Sequence, residues 1–214
     1  TVREIEPNAK EYMSKLAKAG LIEKVRWGWY WIPDEVKGVW DFLEKDRNFK
    51  VVSSQTAASF WNYDFVHRDI YMVKVKDRSY GEALEALAKR RGWNIRVEYI
   101  KGSSDAQCIK IGKLLVEDVE STIIECLQNW AFLDGFAALY SNREKIKLKK
   151  LFEQGYWKRV SGTNVRVRQA LEYGCHRANE LVGGDLFPVR ETRLDDGFIK
   201  REIDEAIGRV VELG

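Results

Sequence analysis

Residues 7–33 read PNAKEYMSKLAKAGLIEKVRWGWYWIP, and this stretch decides how the first part of the chain is interpreted. Its first half predicts a helix, because apolar residues recur at helical spacing and Gly20, which tolerates a positive φ, follows the last of them. Residues 23–26 and 29–32 predict two short strands, with Trp27-Gly28 able to turn between them. The stretch therefore predicts a helix followed by a tight hairpin.

A helix, a glycine, a basic strand and an aromatic strand follow one another in the order of a recognition helix and its wing. An exposed helix can lie in the major groove of duplex DNA, and a basic hairpin can rest on the phosphates beside it. The predicted DNA contacts are Asn8, Lys10, Glu11, Tyr12, Lys15 and Lys18 on the helix and Lys24, Arg26 and Trp27 on the wing. The alternative is a small helix and hairpin that pack on the rest of the protein through Trp27, Trp29 and Trp31.

The composition is that of a globular protein with many charges of both signs. Apolar residues make up 45% of the 214 residues, which is ordinary for a protein that buries a core, in one large domain or two small ones. The net charge is only +3, so any affinity for nucleic acid has to come from local patches. No apolar run is long enough to span a membrane and the start does not read as a secretory signal, so a cytoplasmic protein is expected.

Residues that carry catalytic or metal chemistry are few and scattered. The cysteines at 108, 126 and 175 have no CxxC spacing and are expected to be reduced, mostly buried thiols. With only His67 and His176 as histidines, neither a metal site nor a cofactor is expected.

Sequence motifs of catalysis are missing as well. The chain contains neither a P-loop pattern nor a GxSxG elbow. Cys175 and His176 are adjacent and would face different sides of a helix. Asp64, His67 and Asp69 could form an acid–base or metal cluster, but a loop between a helix and a strand explains them better. An enzyme is not expected, and a nuclease or transferase acting on nucleic acid is kept as the weaker alternative.

Beyond the hairpin the pattern predicts an α+β domain with about four strands and then a helical half. The predicted strands are 49–54, 69–76, 93–100 and 108–116, the last interrupted at Gly112. The predicted helices are 1–5, 34–45 capped by Asp34, 55–61, 80–91, 117–130, 132–140, 144–152, 165–182 and 195–213. The predicted division is a winged helix-turn-helix domain in 1–44, an α+β domain in 45–183 and a loop with an amphipathic helix in 184–214. That last helix has no obvious helical neighbour, so packing on the first domain, replacement of a missing first helix and a homodimer contact all stay open.

A second basic zone lies between Ser141 and Arg177, where ten Lys or Arg residues stand against three Glu. Basic residues with interleaved aromatics, here Tyr156 and Trp157, suit contact with phosphates and bases. The predicted DNA contacts of this zone are Lys145, Lys149, Lys150, Lys158, Arg159, Arg166 and Arg168. An acidic protein partner or a solvated helix surface would explain the same charges.

Three segments carry a resemblance to a known family. They are GLIEKVRWGWYWIP at 20–33, VVSSQTAASFW at 51–61 and KIGKLLVEDVESTIIECLQ at 110–128. The segment at 20–33 is similar to the end of the N-terminal winged helix of the AbiEi family, the antitoxin half of the AbiE abortive-infection systems. The segment at 51–61 is similar to that family's strand and small-residue helix. The segment at 110–128 resembles its strand leading into a helix with an acidic-x-x-acidic-x-Thr pattern, whose residues here are Glu117, Glu120 and Thr122.

The resemblance implies a bacterial or archaeal antitoxin that represses its own operon by binding inverted repeats in double-stranded DNA. It also implies a nucleotidyltransferase-like toxin as partner, in a type IV toxin–antitoxin system whose two proteins need not form a stable complex. The expected departures from the family are a missing first helix of the winged helix and the extra tail after Gly183. The alternative is a protein-interaction module, without DNA binding, that docks through its helix and hairpin.

Overall fold

The computed structural model describes residues 9–26, 28–32, 36–62, 69–100, 107–146, 151, 165–189 and 194–213, without the side chain of Lys10. Within these ranges the chain forms eight helices, a two-stranded hairpin and a five-stranded sheet, which is an α+β fold. The helices are α1 Ala9–Lys18, α2 Val39–Lys45, α3 Ser54–Trp61, α4 Arg78–Arg91, α5 Val119–Gln128, α6 Phe132–Ser141, α7 Val165–Val182 and α8 Gly197–Leu213. The strands are β1 Glu23–Arg26, β2 Trp29–Trp31, β3 Lys50–Val52, β4 Tyr71–Val75, β5 Ile95–Tyr99, β6 Cys108–Ile111 and β7 Leu114–Glu117.

The helix and hairpin at the start of the chain form as the sequence predicts. After α1 the backbone turns at Gly20, whose φ of 72° lies in the left-handed region that favours glycine. Strands β1 and β2 pair antiparallel, with an irregularity between Lys24 and Arg26, and Gly28 adopts a φ of 76° in the turn. The local sequence signals are therefore sufficient for this part of the backbone.

The main sheet is mixed, with the strand order β5-β4-β3-β7-β6. Pairs β3–β4 and β6–β7 are antiparallel, whereas β3–β7 and β4–β5 are parallel. The predicted strand 108–116 is in fact the hairpin β6–β7, because Gly112, with a φ of 59°, allows a tight turn in its middle. The sheet consequently has five strands rather than about four.

The two faces of the sheet pack against different helices. Val73 and Val75 of β4 belong to one apolar cluster with Leu84 of α4. Lys74 lies between them and pairs with Glu125 of α5. Since successive side chains of a strand point to opposite faces, α4 lies on one face of the sheet and α5 on the other.

The hairpin and α2 share the core on the α4 side. Val25 of β1, Trp29 of β2 and Phe42 of α2 are buried in the same cluster as Val52 of β3 and Leu84 of α4. The hairpin therefore rests on the sheet domain through apolar side chains. The division of the chain at residues 44 and 183 stays a prediction.

Helices α5 to α8 build the second core. Ile199, Ile203 and Ile207 form the buried stripe of α8, and they pack in one cluster with Phe136 of α6 and Leu171 of α7. The last helix thus has helical neighbours within the chain, which its own sequence did not indicate. Its apolar stripe is covered by α6 and α7.

Two predicted helix starts are wrong. Helix α2 begins at Val39, after Gly38, rather than at residue 34. Glu117 ends strand β7 instead of opening the next helix, and Asp118 caps α5 by accepting a 2.8 Å hydrogen bond from the Ser121 N–H. An acidic residue suits either position by sequence alone, because it stabilises a helix N-terminus whether it stands in the first turn or as the cap.

Several predictions fall wholly or partly outside the described residues. The helix at 1–5 and the cap Asp34 lie outside them, as do most residues of the predicted helix 144–152. None of the helices in the described ranges is both long enough and apolar enough to cross a membrane.

Candidate nucleic-acid interface

Helix α1 turns an almost fully exposed polar face to solvent. Met13, 6% exposed, is its buried anchor, whereas Tyr12 on the outer side is 61% exposed. Lys15 and Lys18 are exposed too, and Lys15 forms a 3.0 Å ion pair with Glu11 one turn earlier. The predicted contact residues of this helix that the structure describes thus lie on a surface that a large ligand can reach.

The hairpin has one buried side and one exposed side. Trp29 faces inward, and its indole N–H donates a 2.7 Å hydrogen bond to the Ser79 hydroxyl of α4. Lys24 is exposed on the other side. Arg26 is also exposed, but it forms an ion pair with Glu82 of α4. Of the two predicted basic wing contacts, Arg26 is therefore in an ion pair, whereas Lys24 forms no ion pair with a carboxylate of the described residues.

The end of α4 brings further basic residues to the hairpin. The Arg90 guanidinium donates to the carbonyl oxygens of Lys24, at 2.7 Å, and Val25, at 3.1 Å. Arg90 and Arg91 also pair with Glu23, at 3.1 and 3.3 Å. We call Lys24, Lys89, Arg90 and Arg91 the hairpin patch; all four are exposed. In the sequence, the signal for this patch is the basic run at 89–91. Basic residues at the C-terminal end of a helix interact favourably with the helix dipole, so the run by itself did not indicate a contact with the hairpin.

The second basic zone lies elsewhere on the protein. Arg166 and Arg168 are exposed in the first turns of α7, and Arg168 pairs with Glu172 at 2.8 Å. Lys145 is exposed in the turn after α6. These three residues are on the α5 side of the sheet, whereas the hairpin patch is on the α4 side, so they do not form one surface with it. The predicted contacts outside the described residues are Asn8, Trp27, Lys149, Lys150, Lys158 and Arg159, and the side chain of Lys10 is outside them too.

A buried charge cluster, which we define as Lys74, Glu117 and Glu125, spans the sheet and α5. The Lys74 ammonium lies 2.7 Å from Glu117 and 2.8 Å from Glu125. Glu117 is 1% exposed, and its second carboxylate oxygen accepts the Ser54 N–H at 3.0 Å. Sequence reasoning missed this cluster because an alternating Lys on a half-buried strand predicts a solvent-facing side chain.

Burial is the largest single influence on the pKa values of Glu117, Glu98 and Lys74. It raises the pKa of Glu117 to about 7, although the neighbouring Lys74 acts in the opposite direction. Burial also raises the pKa of Glu98, which accepts a 3.3 Å hydrogen bond from the Asn129 amide. Burial lowers the pKa of Lys74, but the attraction of Glu117 and Glu125 outweighs it, so the net shift is upward.

Replacing Glu117 by glutamine is expected to flatten the pH dependence of stability. The folded pKa of Glu117 lies above its ordinary value of 4.5, so the folded state binds the proton more tightly than the unfolded state. The wild-type free energy of unfolding should therefore fall as the pH rises from 4.5 to about 7, by roughly 3 kcal/mol.

Urea unfolding at several pH values between 4.5 and 8 measures this slope. In the variant E117Q, only the smaller fall in the free energy of unfolding that Glu98 contributes should remain. The matched control E44Q, at an exposed position of α2, should keep the wild-type slope. An unchanged slope in E117Q would contradict the assignment of the titration to Glu117.

Potential metal ligands do not cluster among the described residues, and two of the cysteines are buried. No group of three or more His, Cys, Asp or Glu side chains in these ranges is placed to hold a metal ion. Cys126 and Cys175 are buried free thiols, and burial raises the pKa of both. His176 is partly exposed beside the buried Cys175, so the two side chains do face different sides of α7. His67 and Asp64 lie outside the described residues.

Comparison of the chain with family models, with curated proteins and with solved structures gives no match.

Proposed function

We propose that this protein is a DNA-binding autorepressor with an N-terminal winged helix, related to the antitoxins of the AbiEi family. The observation that carries the proposal is the pairing of an exposed polar helix, α1, with a hairpin whose outer strand carries Lys24. The resemblance of residues 20–33, 51–61 and 110–128 to that family supports the antitoxin role and a nucleotidyltransferase-like toxin as the partner.

The surface of α1 suits the major groove. Met13 is the buried residue of the helix, which ends at Lys18, and its outer side chains are exposed and can meet base edges. Tyr12 offers an aromatic ring and a hydroxyl, and Lys15 and Lys18 offer positive charge. A helix in this position would carry the sequence preference.

The hairpin suits the phosphates beside the groove. Arg90 holds the backbone of β1 at two carbonyl oxygens, so the strand is fixed where it presents Lys24. Phosphate contacts of this kind position a protein on DNA and contribute little sequence preference. Lys24 is thus the wing contact to test first.

Fluorescence anisotropy on the protein's own upstream promoter, and on scrambled DNA of equal length, tests the proposal. We expect tighter binding to the promoter and an affinity that falls steeply with salt. Equal binding to both would indicate a phosphate-binding surface without operator recognition. No binding to either would refute the proposal and favour a protein partner.

The change Lys24→Ala is expected to weaken binding to both DNAs and to lower the log–log salt slope by about 0.9, the value for one lost phosphate contact. The double change Tyr12→Ala and Lys15→Ala should instead reduce the preference for the promoter over scrambled DNA. The control Lys113→Ala removes an exposed lysine from the β6–β7 turn, which is not part of the proposed DNA-contacting surface, and should change neither quantity. An unaltered slope in K24A would contradict the wing assignment.

A further inference from the structure

A cavity of about 460 Å³ lies beneath the hairpin, between β2, the end of α2 and α4. This volume is within the range of sites that hold small organic molecules. The cavity is separate from the outer faces of α1 and β1 on which DNA binding is proposed. Binding of a small molecule in this cavity would therefore be a property of the protein separate from DNA binding.

The walls of the cavity combine aromatic rings with aliphatic side chains. Trp29 and Tyr80 lie with their ring centroids 5.5 Å apart, and those of Trp31 and Phe42 are 5.2 Å apart. Leu84 of α4 adds an aliphatic surface. Walls of this kind favour a flat, apolar guest, because aromatic rings pack well on each other in offset or edge-to-face arrangements.

One lining residue, Trp31, carries a buried donor that has no acceptor among the described residues. The indole nitrogen of Trp31 is buried and, within the described part of the chain, has no hydrogen-bond partner. The indole N–H of Trp29, by contrast, is paired with Ser79. Because buried polar groups are almost always hydrogen-bonded, the Trp31 N–H indicates a guest that carries an acceptor atom.

Among the described charges around the cavity, one cation is unmatched. Asp46 accepts from the Tyr80 hydroxyl and lies 3.3 Å from the Lys50 ammonium. Lys45 pairs with Asp41 at 3.2 Å. Arg47 lines the cavity, is exposed, and forms no ion pair with another described residue. The remaining charge is thus positive and favours an anionic guest.

From these observations we infer that the cavity binds a small planar aromatic carboxylate. The ring lies among Trp29, Trp31 and Phe42, an oxygen of the guest accepts the Trp31 N–H, and the negative charge faces Arg47. This inference depends on the cavity alone and stands whether or not the protein binds DNA.

Isothermal titration calorimetry with 2-naphthoate, and with the neutral 2-naphthalenemethanol, tests the inference on the whole chain. We expect both compounds to bind and the carboxylate to bind more tightly. Trp31→Phe removes the N–H donor and keeps an aromatic ring, so it should weaken the affinity for both compounds about tenfold. Arg47→Gln should weaken the affinity for 2-naphthoate several-fold and leave the affinity for the alcohol unchanged.

Two control variants lie outside the cavity lining. Trp130→Phe changes an exposed tryptophan of the α5–α6 turn, and Arg96→Gln changes an exposed arginine of β5; neither should alter binding. Thermal melts establish that each variant is folded. Absence of binding by the wild type, or binding that neither W31F nor R47Q weakens, would overturn the inference. Equal loss of both compounds in R47Q would overturn the assignment of the carboxylate.

Discussion

Replacing Lys74 by methionine is expected to destabilise the protein by about 3–5 kcal/mol at pH 8. The change removes the ammonium that lies within 2.8 Å of both carboxylates and leaves the buried Glu117 and the partly buried Glu125 without their cation. Loss of one partner from a buried ion pair is costly because the remaining charge is left in a medium that solvates it poorly. Methionine keeps most of the length of the lysine stem, so little of the loss should come from packing.

The cost should be smaller at acidic pH. At pH 5 Glu117 is already protonated, since burial raises its pKa to about 7, and a neutral carboxyl needs no cation beside it. Urea unfolding of K74M and wild type at pH 8 and pH 5 measures the difference. The control K110M, at an exposed position of edge strand β6, should stay within about 0.5 kcal/mol of wild type. An equal cost at both pH values would show that Lys74 is not compensating the carboxylates.

Replacing Gly174 by alanine is the second large expected effect. A Cβ atom at this position of α7 would lie 2.2 Å from the ring of Phe136, which is fully buried in α6. A fully buried ring cannot turn toward solvent, so we expect a loss of about 2–3 kcal/mol from overpacking. This loss should exceed the gain of about 1 kcal/mol that alanine brings over glycine in a helix.

Gly81 provides the matched control in α4. A Cβ atom there would lie 2.7 Å from the ring of Tyr99, but Tyr99 is 38% exposed and its ring can turn toward solvent. Gly81→Ala should therefore be neutral or slightly stabilising, because the helix propensity of alanine remains as a gain. Thermal and urea unfolding of both variants measures the contrast. Similar effects at the two positions would contradict the view that the buried Phe136 makes Gly174 irreplaceable.

Most of the local structure follows from the order of residues along the chain. Helix α7 has the bounds that periodicity predicts. Helix α4 is capped by Gly92, whose φ of 68° lies in the left-handed region that only glycine adopts easily. The hairpin, its glycine turn and the four predicted strand regions are present as well. These features depend on neighbours within a few residues, so the pattern of the chain is enough to predict them.

For the candidate site, the sequence identified Tyr12, Lys15, Lys18 and Lys24 as surface residues of a helix and a hairpin. It did not indicate that Arg26 is held by Glu82, or that Arg90 supports β1 from the end of α4. Both contacts join residues that are far apart in the chain. Periodicity assigns a side chain to a face but does not say which element covers that face.

Which elements meet is settled only in the folded molecule. The parallel pairing of β3 with β7 places Glu117 next to Lys74, 43 residues earlier in the chain, and so creates the buried charge cluster. The packing of the hairpin on α2 and α4 encloses the cavity and leaves the Trp31 indole without an acceptor among the described residues. A strand pattern specifies two faces but not its neighbours, because pairing order depends on how the whole apolar surface is buried at once.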